Sequence, residues 1–279
     1  MEHTLDVNGL SFHVVTDGPD DGPPVLLLHG FPDSSNLWRH QIPALAAAGR
    51  RVIAPDLRGF GRSAKPTGID SYALPLLVGD VLGILDAFAV DRTPVVAHDW
   101  GAGLGWALAS LVPDRVERLA ALSVGHPSGY FTAGGADQLG KSWYMLWFLI
   151  PDVPENGLAA NDWSFLRSWA REAPDVARWI THYSADHPAR LTASLNWYRA
   201  NIDPNAFAAG GGIELPPVSC PVLGIWSDGD AYCGEEQMAT SGQYVSGPWR
   251  YERIEGASHW MPVDAPDRVN ALLTEFLGS

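Results

Sequence analysis

Four places in the chain combine residue types and settings that suit nucleophilic chemistry: the loop at Phe31, and Asp99, Asp230 and His259. Asp99 carries the sharpest signal. It stands in Val95-Val96-Ala97-His98-Asp99-Trp100-Gly101-Ala102. The apolar run from Pro94 to Ala97 reads as a buried strand, and Gly101 to Leu111 reads as a helix. A strand that turns at once into a helix holds its apex residue in a strained conformation and pushes it into the open. A carboxylate there can attack a carbon centre and become an ester, which water must then cleave. Asp is also a common helix N-cap, and this short stretch alone leaves both roles open.

The elements that must position these residues follow from periodicity. Residues 3 to 17 read as a hairpin turning at Asn8-Gly9. Val25 to Leu28 is a buried strand delivering the loop His29-Gly30-Phe31-Pro32-Asp33, where Gly30 permits close backbone approach. A helix is expected over Asn36 to Ala48, a strand over Arg51 to Asp56, and a helix capped by Ser71 and running to about Ala89. Arg118 to Val124 is a further buried strand. From about Pro127 to Pro217 strand signals fade and helical segments take over, holding Trp143, Trp147, Trp163, Trp169, Trp179 and Trp197. Strands return at Val222 to Trp226, ending in Ser227-Asp228-Gly229-Asp230, and at Arg250 to Ile254, ending in Glu255-Gly256-Ala257-Ser258-His259-Trp260. An amphipathic helix over Asp264 to Leu277 closes the chain.

Short apolar strands alternating with helices imply an α/β fold with a mostly parallel sheet covered on both faces. Active groups then belong at the carboxyl ends of the strands. The expected organisation is a core of residues 1–126 and 218–279 and an inserted helical lid of residues 127–217.

Composition narrows the partners. A net charge of −14 argues against nucleic acid, whose phosphates need basic clusters. No run approaches the roughly 18 apolar residues of a membrane span. Met1-Glu2-His3-Thr4-Leu5 does not begin a secretory signal, so a cytoplasmic location is expected. Cys220 and Cys233 have neither metal nor redox spacing. His98, beside Asp99, reads as structural, and no metal or organic cofactor is expected.

The order nucleophile, acid, histidine matches that of the α/β-hydrolases, and the chain resembles that superfamily over nearly its full length. Within it, His29-Gly30-Phe31-Pro32, His98-Asp99-Trp100-Gly101 and Ser258-His259-Trp260 are similar to stretches of the epoxide hydrolase and haloalkane dehalogenase branch. The resemblance implies an α/β-hydrolase fold and a role for each residue. Asp99 forms an alkyl ester, and His259 deprotonates the water that cleaves it. Asp230 orients His259; Asp228 is the other candidate, but similar enzymes place the acid at the last position of this loop. Backbone N–H groups of Phe31 and Trp100 form the oxyanion hole.

Resemblance to epoxide hydrolases further implies two lid tyrosines as donors to the epoxide oxygen. They are Tyr198 in Asn196-Trp197-Tyr198-Arg199 and Tyr144 in Trp143-Tyr144-Met145-Leu146. A phenol with a pKa of about 10 stays protonated at neutral pH, although Tyr in a Trp-rich region also serves simply as packing. Dehalogenases similar to this chain usually carry Asn where Phe31 stands. Some place the acid after the preceding core strand, and Val124-Gly125-His126-Pro127 has no carboxylate. Fluoroacetate dehalogenases have Arg in the place of Trp100. The expected function is therefore hydrolysis of a small apolar epoxide to a vicinal diol, with water as co-substrate, by a monomer or homodimer. Haloalkane dehalogenation by the same Asp is the alternative. A non-enzymatic hydrolase-fold ligand receptor is a third reading, and an intact Asp–Asp–His set speaks against it. The Trp-rich lid suggests an apolar pocket, although a helical lid also needs apolar surface to pack on the core.

Overall fold

The computed structural model describes residues 1–170 and 173–278. The chain begins with the hairpin β1 (Glu2–Val7) and β2 (Leu10–Asp17), with Asn8 and Gly9 both at positive φ in its turn. β3 (Pro24–Leu28), α1 (Gln41–Ala47), β4 (Arg51–Pro55), α2 (Leu74–Ala87), β5 (Thr93–His98), α3 (Trp100–Leu111) and β6 (Val116–Leu122) follow. Six helices come next: α4 (Tyr130–Lys141), α5 (Trp143–Phe148), α6 (Val153–Trp169), α7 (Val176–Ser184), α8 (Ala189–Asn201) and α9 (Pro204–Ala208). β7 (Val222–Gly229), α10 (Glu235–Ala239), β8 (Trp249–Ser258), α11 (Met261–Asp264) and α12 (Pro266–Gly278) complete the chain.

One sheet of eight strands runs in the order β1-β2-β4-β3-β5-β6-β7-β8. β1, β2 and β4 pair antiparallel; every other pair is parallel. The parallel strands are apolar because helices leave neither face to water: every residue of β5 is buried, whereas β1 at the edge alternates. β3 sits between β4 and β5, so strand order reverses beside it, and the crevice beyond the carboxyl ends of β3 and β5 is where such a sheet accepts ligands. Both expected loops, after Leu28 and after His98, open there. No described helix is long and apolar enough to cross a membrane.

Several boundaries differ from the sequence expectation, and three of them have a plain local reason or consequence. The helix expected over Asn36 to Ala48 is a 3₁₀ turn (Ser35–Trp38), then α1. Pro43 in the first turn of α1 lacks the N–H that a longer helix would need. Ser71 caps nothing: it lies in a 3₁₀ turn (Ile69–Tyr72), its hydroxyl bonded to the Thr67 carbonyl. α2 starts after it because Pro75 suits a first helical turn, and it stops before Ala89, which is left-handed at φ 55°. β8 runs on to Ser258 and so delivers His259 directly.

Candidate active site

Asp99 occupies the apex between β5 and α3 at φ 55°, ψ −125°. A non-glycine residue there costs about 1–3 kcal/mol, which the packed strand and helix must offset. Two glycines make the turn fit. A Cβ on Gly101 would lie 2.3 Å from the Leu28 carbonyl oxygen, and one on Gly30 would lie 2.1 Å from Asp99 Oδ1. Asp99 holds the N-cap position of α3, yet its side chain makes no cap hydrogen bond. Its Oδ1 instead accepts from the Phe31 N–H at 2.7 Å, and Oδ2 faces His259 Nε2 at 3.6 Å. The side chain therefore does not cap α3 and lies between a peptide donor and the histidine.

The histidine is held from behind. Asp230 Oδ2 lies 2.8 Å from His259 Nδ1, while Oδ1 accepts the backbone N–H groups of Tyr232 and Cys233, each at 2.8 Å. Asp228 is exposed, accepts the Gly256 N–H at 2.8 Å and lies 3.7 Å from Arg253. Of the two acids, Asp230 alone touches His259. The His259 carbonyl accepts from His98 Nε2 at 2.8 Å and from the Ser123 hydroxyl at 3.2 Å. Sequence reading found His98 structural but not what it holds; no local pattern links residues so far apart.

Burial disfavours charge on His259, but the Asp230 carboxylate and then Asp99 outweigh it and lift its pKa well above the usual value. Burial likewise opposes the Asp230 charge, yet His259 and the two backbone donors keep its pKa low. His98 is pushed down to about 4, first by burial and then by His259, so it is the neutral imidazole that donates through Nε2. His29 is neutral for the same first reason. Its Nε2 accepts from the Leu57 N–H at 3.0 Å, which leaves the proton on Nδ1 to bond the Gly30 carbonyl at 3.0 Å. That bond steadies the loop before the cis Phe31–Pro32 peptide.

The two expected tyrosines pack beside the site loops, and neither is among the residues lining the cavity described below. The Tyr198 ring on α8 meets Trp100 edge-on at 5.0 Å and Phe31 at 5.7 Å. Tyr144 on α5 lies 6.3 Å from Tyr198, ring to ring. Burial raises both phenols well above the usual pKa, with Asp99 adding to it at Tyr198 and Tyr198 adding to it at Tyr144. They remain hydrogen-bond donors throughout the neutral range.

An apolar cavity of about 170 Å³ opens beside Asp99 and Trp100. Leu74, Leu77, Leu104, Met145, Phe131 and Phe207 line much of it. The Trp-rich segment contributes less than its composition suggests, since of its six tryptophans only Trp197 borders the cavity. The others pack elsewhere: Trp143 stacks on Trp147, Trp179 lies against Trp260, and Trp169 against Phe31.

Comparison with known proteins accords with this geometry. The family described as alpha/beta hydrolase fold matches residues 23–266. The AB hydrolase superfamily protein YfhM of Bacillus subtilis is 35% identical over 98% of this chain and 96% of its own length. Epoxide hydrolase A of Mycobacterium tuberculosis is 34% identical over 99% of this chain and 97% of its own. The crystal structure of an epoxide hydrolase mutant from Bacillus megaterium superposes with a TM-score of 0.88 at 28% identity, covering 99% of this chain and all of that one. The chain belongs to the α/β-hydrolase fold family, in its epoxide hydrolase-like branch.

Proposed function

We propose that the protein hydrolyses an apolar epoxide to a vicinal diol. One observation carries the mechanism: Asp99 stands at a strained turn with one oxygen held by the Phe31 N–H and the other 3.6 Å from His259 Nε2. The free carboxylate oxygen attacks an epoxide carbon, forming the C–O bond of an alkyl ester as the ring C–O bond breaks. Tyr198 and Tyr144 donate to the ring oxygen, which leaves as a hydroxyl once it takes a phenol proton. Esterification removes the Asp99 charge beside His259 and so lowers the histidine's pKa toward its usual range. His259 Nε2 then takes a proton from water, and the hydroxide attacks the ester carbonyl. The tetrahedral oxyanion is stabilised by the N–H groups of Phe31 and Trp100. Collapse breaks the bond between the carbonyl carbon and the alkoxide, which leaves as the second hydroxyl with the proton from His259. Asp99, released as the acid, loses its proton to solvent and the phenolate takes one back, so both groups return to their starting forms.

Residues 127–217 act as the lid over this crevice. Three contacts that tie α7 and α8 to the core support that reading: Arg178 to Asp33 at 2.5 Å, Tyr183 Oη to the Pro32 carbonyl at 3.2 Å, and Trp197 Nε1 to the Arg58 carbonyl at 2.7 Å. The reaction as written calls on no group from a second chain and on no cofactor.

The test is intact mass of His259→Gln after incubation with a styrene-type epoxide. Blocking the water step is expected to trap a hydroxyalkyl ester that maps to the Asp99 peptide. An adduct formed only from alkyl halides assigns the site to dehalogenation. No adduct from either, in folded protein, overturns the covalent mechanism.

A further inference from the structure

The side of the His259–Asp230 pair away from Asp99 holds a thiol. Cys233 follows Asp230 on the same loop, and its Sγ lies 3.4 Å from the Tyr130 hydroxyl. Cys233, Asp230 and His259 are 1%, 2% and 3% exposed. One donor atom from each lies within 4.8 Å of the other two. The thiol, the carboxylate and the imidazole are the donor types that a zinc-class cation takes. Sequence spacing gave no sign of this set, because it uses only one of the two cysteines and draws its other donors from two strand ends.

We propose that Asp230, Cys233 and His259 form a binding site for Zn²⁺ or a similar thiophilic divalent cation, and that its occupation stops turnover. The second half rests on His259 being the base assigned above. The ring donor is Nδ1, because it faces Asp230 at 2.8 Å while Nε2 faces Asp99. Tetrahedral zinc needs its oxygen and nitrogen ligands about 3.3 Å apart, so the pair must open by roughly half an ångström. The metal displaces the proton shared by Nδ1 and Asp230 and the proton on the thiol; both leave to water. A dication with one thiolate and one carboxylate is neutral, which suits so buried a place. The cavity that borders Asp99 also borders Tyr130, whose hydroxyl lies 3.4 Å from the thiol. An imidazole bound through Nδ1 and neutral overall keeps its one proton on Nε2. Nε2 then has no lone pair with which to take a proton from water.

The experiment titrates tag-free, full-length protein with Zn²⁺ and Cd²⁺. Three quantities are read: metal retained per chain after dialysis, the cadmium–thiolate charge-transfer absorption, and turnover of styrene oxide with and without EDTA. The expected result is one metal per chain, a cadmium–thiolate band, and a fall in turnover of about tenfold or more that EDTA reverses. Cys233→Ala, or Cys233→Val if the smaller residue destabilises the loop, is expected to lose the band, and its turnover, whatever its metal-free level, is expected not to respond to Zn²⁺ or EDTA. Cys220→Ala is expected to behave as the parent. A missing band, or one that survives loss of Cys233, overturns the site. Binding through Cys233 with turnover intact keeps the site and overturns His259 as the base.

Discussion

The core side of the site and the α4–α9 side work by different means. On the core side, direction comes from the backbone. Asp99 is fixed by its left-handed φ, its Oδ1 by a peptide N–H, and Asp230 by two more. On the α4–α9 side, direction comes from rings. Tyr198 is wedged against Trp100, Phe31 and Phe148, and Tyr144 against Phe148, Trp169 and Tyr232. Fixed peptide dipoles need no reorganisation when charge develops, so they suit the place where the proposed ester and oxyanion form. Packed rings tolerate changes of shape better, so they belong where substrates differ.

The sharpest way to break this contrast is to remove the fixed charge. Asp99→Ala is expected to lower kcat/KM on the order of 10⁴-fold or more while leaving the fold intact, since the turn keeps a residue with a Cβ at the same backbone angles and loses no cap bond. Retained turnover in a folded Asp99→Ala protein would place the nucleophile elsewhere. The insertion side predicts a smaller loss. Tyr198→Phe removes one proton donor and keeps the ring, so the alkylation rate should fall about 10²-fold. Tyr144→Phe should cost less, because Tyr198 is the phenol whose ring meets both Trp100 and Phe31. Equal losses in stopped-flow alkylation would mean that the two phenols share the leaving oxygen. Smaller still is the effect of cavity shape. Phe207→Ala should raise KM for a bulky aryl epoxide about tenfold, within the worth of one buried aromatic side chain, and leave a small alkyl epoxide nearly unchanged.

The same contrast governs what could be read from the sequence. The turn at Asp99 was legible because a buried strand, a small-residue helix and the obligatory Gly101 lie within a short span of chain. The hairpin at Asn8-Gly9 was legible for the same reason. Tyr198 and Tyr144 came from resemblance, and nothing in their spacing separated a donor from a packing residue. The apolar character of the cavity was legible, but not which residues line it: of the six tryptophans only Trp197 does, beside Leu, Met and Phe side chains. The hold of His98 on the His259 carbonyl and the approach of Cys233 to the pair depend on strand order, which no local pattern carries. Proline set the helix starts that sequence reading placed too early, at Pro43 and Pro75.

The last expectation compares the two regions by stability, through histidines that neither uses as a base. His98 in the core, His126 at the junction and His182 on α7 all have pKa values pushed down to about 4. Burial leads in each case, joined at His182 by Arg190 and Lys65. The Nε2 atoms of His126 and His182 are buried without a hydrogen-bond partner, so neither ring has a site that welcomes a second proton. Unfolded, each histidine titrates near 6.5. Between about 6.5 and 4 the unfolded chain therefore binds more protons than the folded one, and stability falls as pH falls. Above 6.5 these contributions are fully present. His259 has the opposite sign: its raised pKa adds stability below 6.5 that is lost as pH rises through the folded value. Urea midpoints of the parent, His126→Gln and His182→Gln at pH 7 and pH 5 test this directly. Each variant should lose less stability over that interval than the parent. The sparing should be greater at His126, which is fully buried, than at His182, where solvent reaches the ring and screens its neighbours. Equal acid losses in all three proteins would mean that carboxylates, not buried histidines, carry the acid sensitivity.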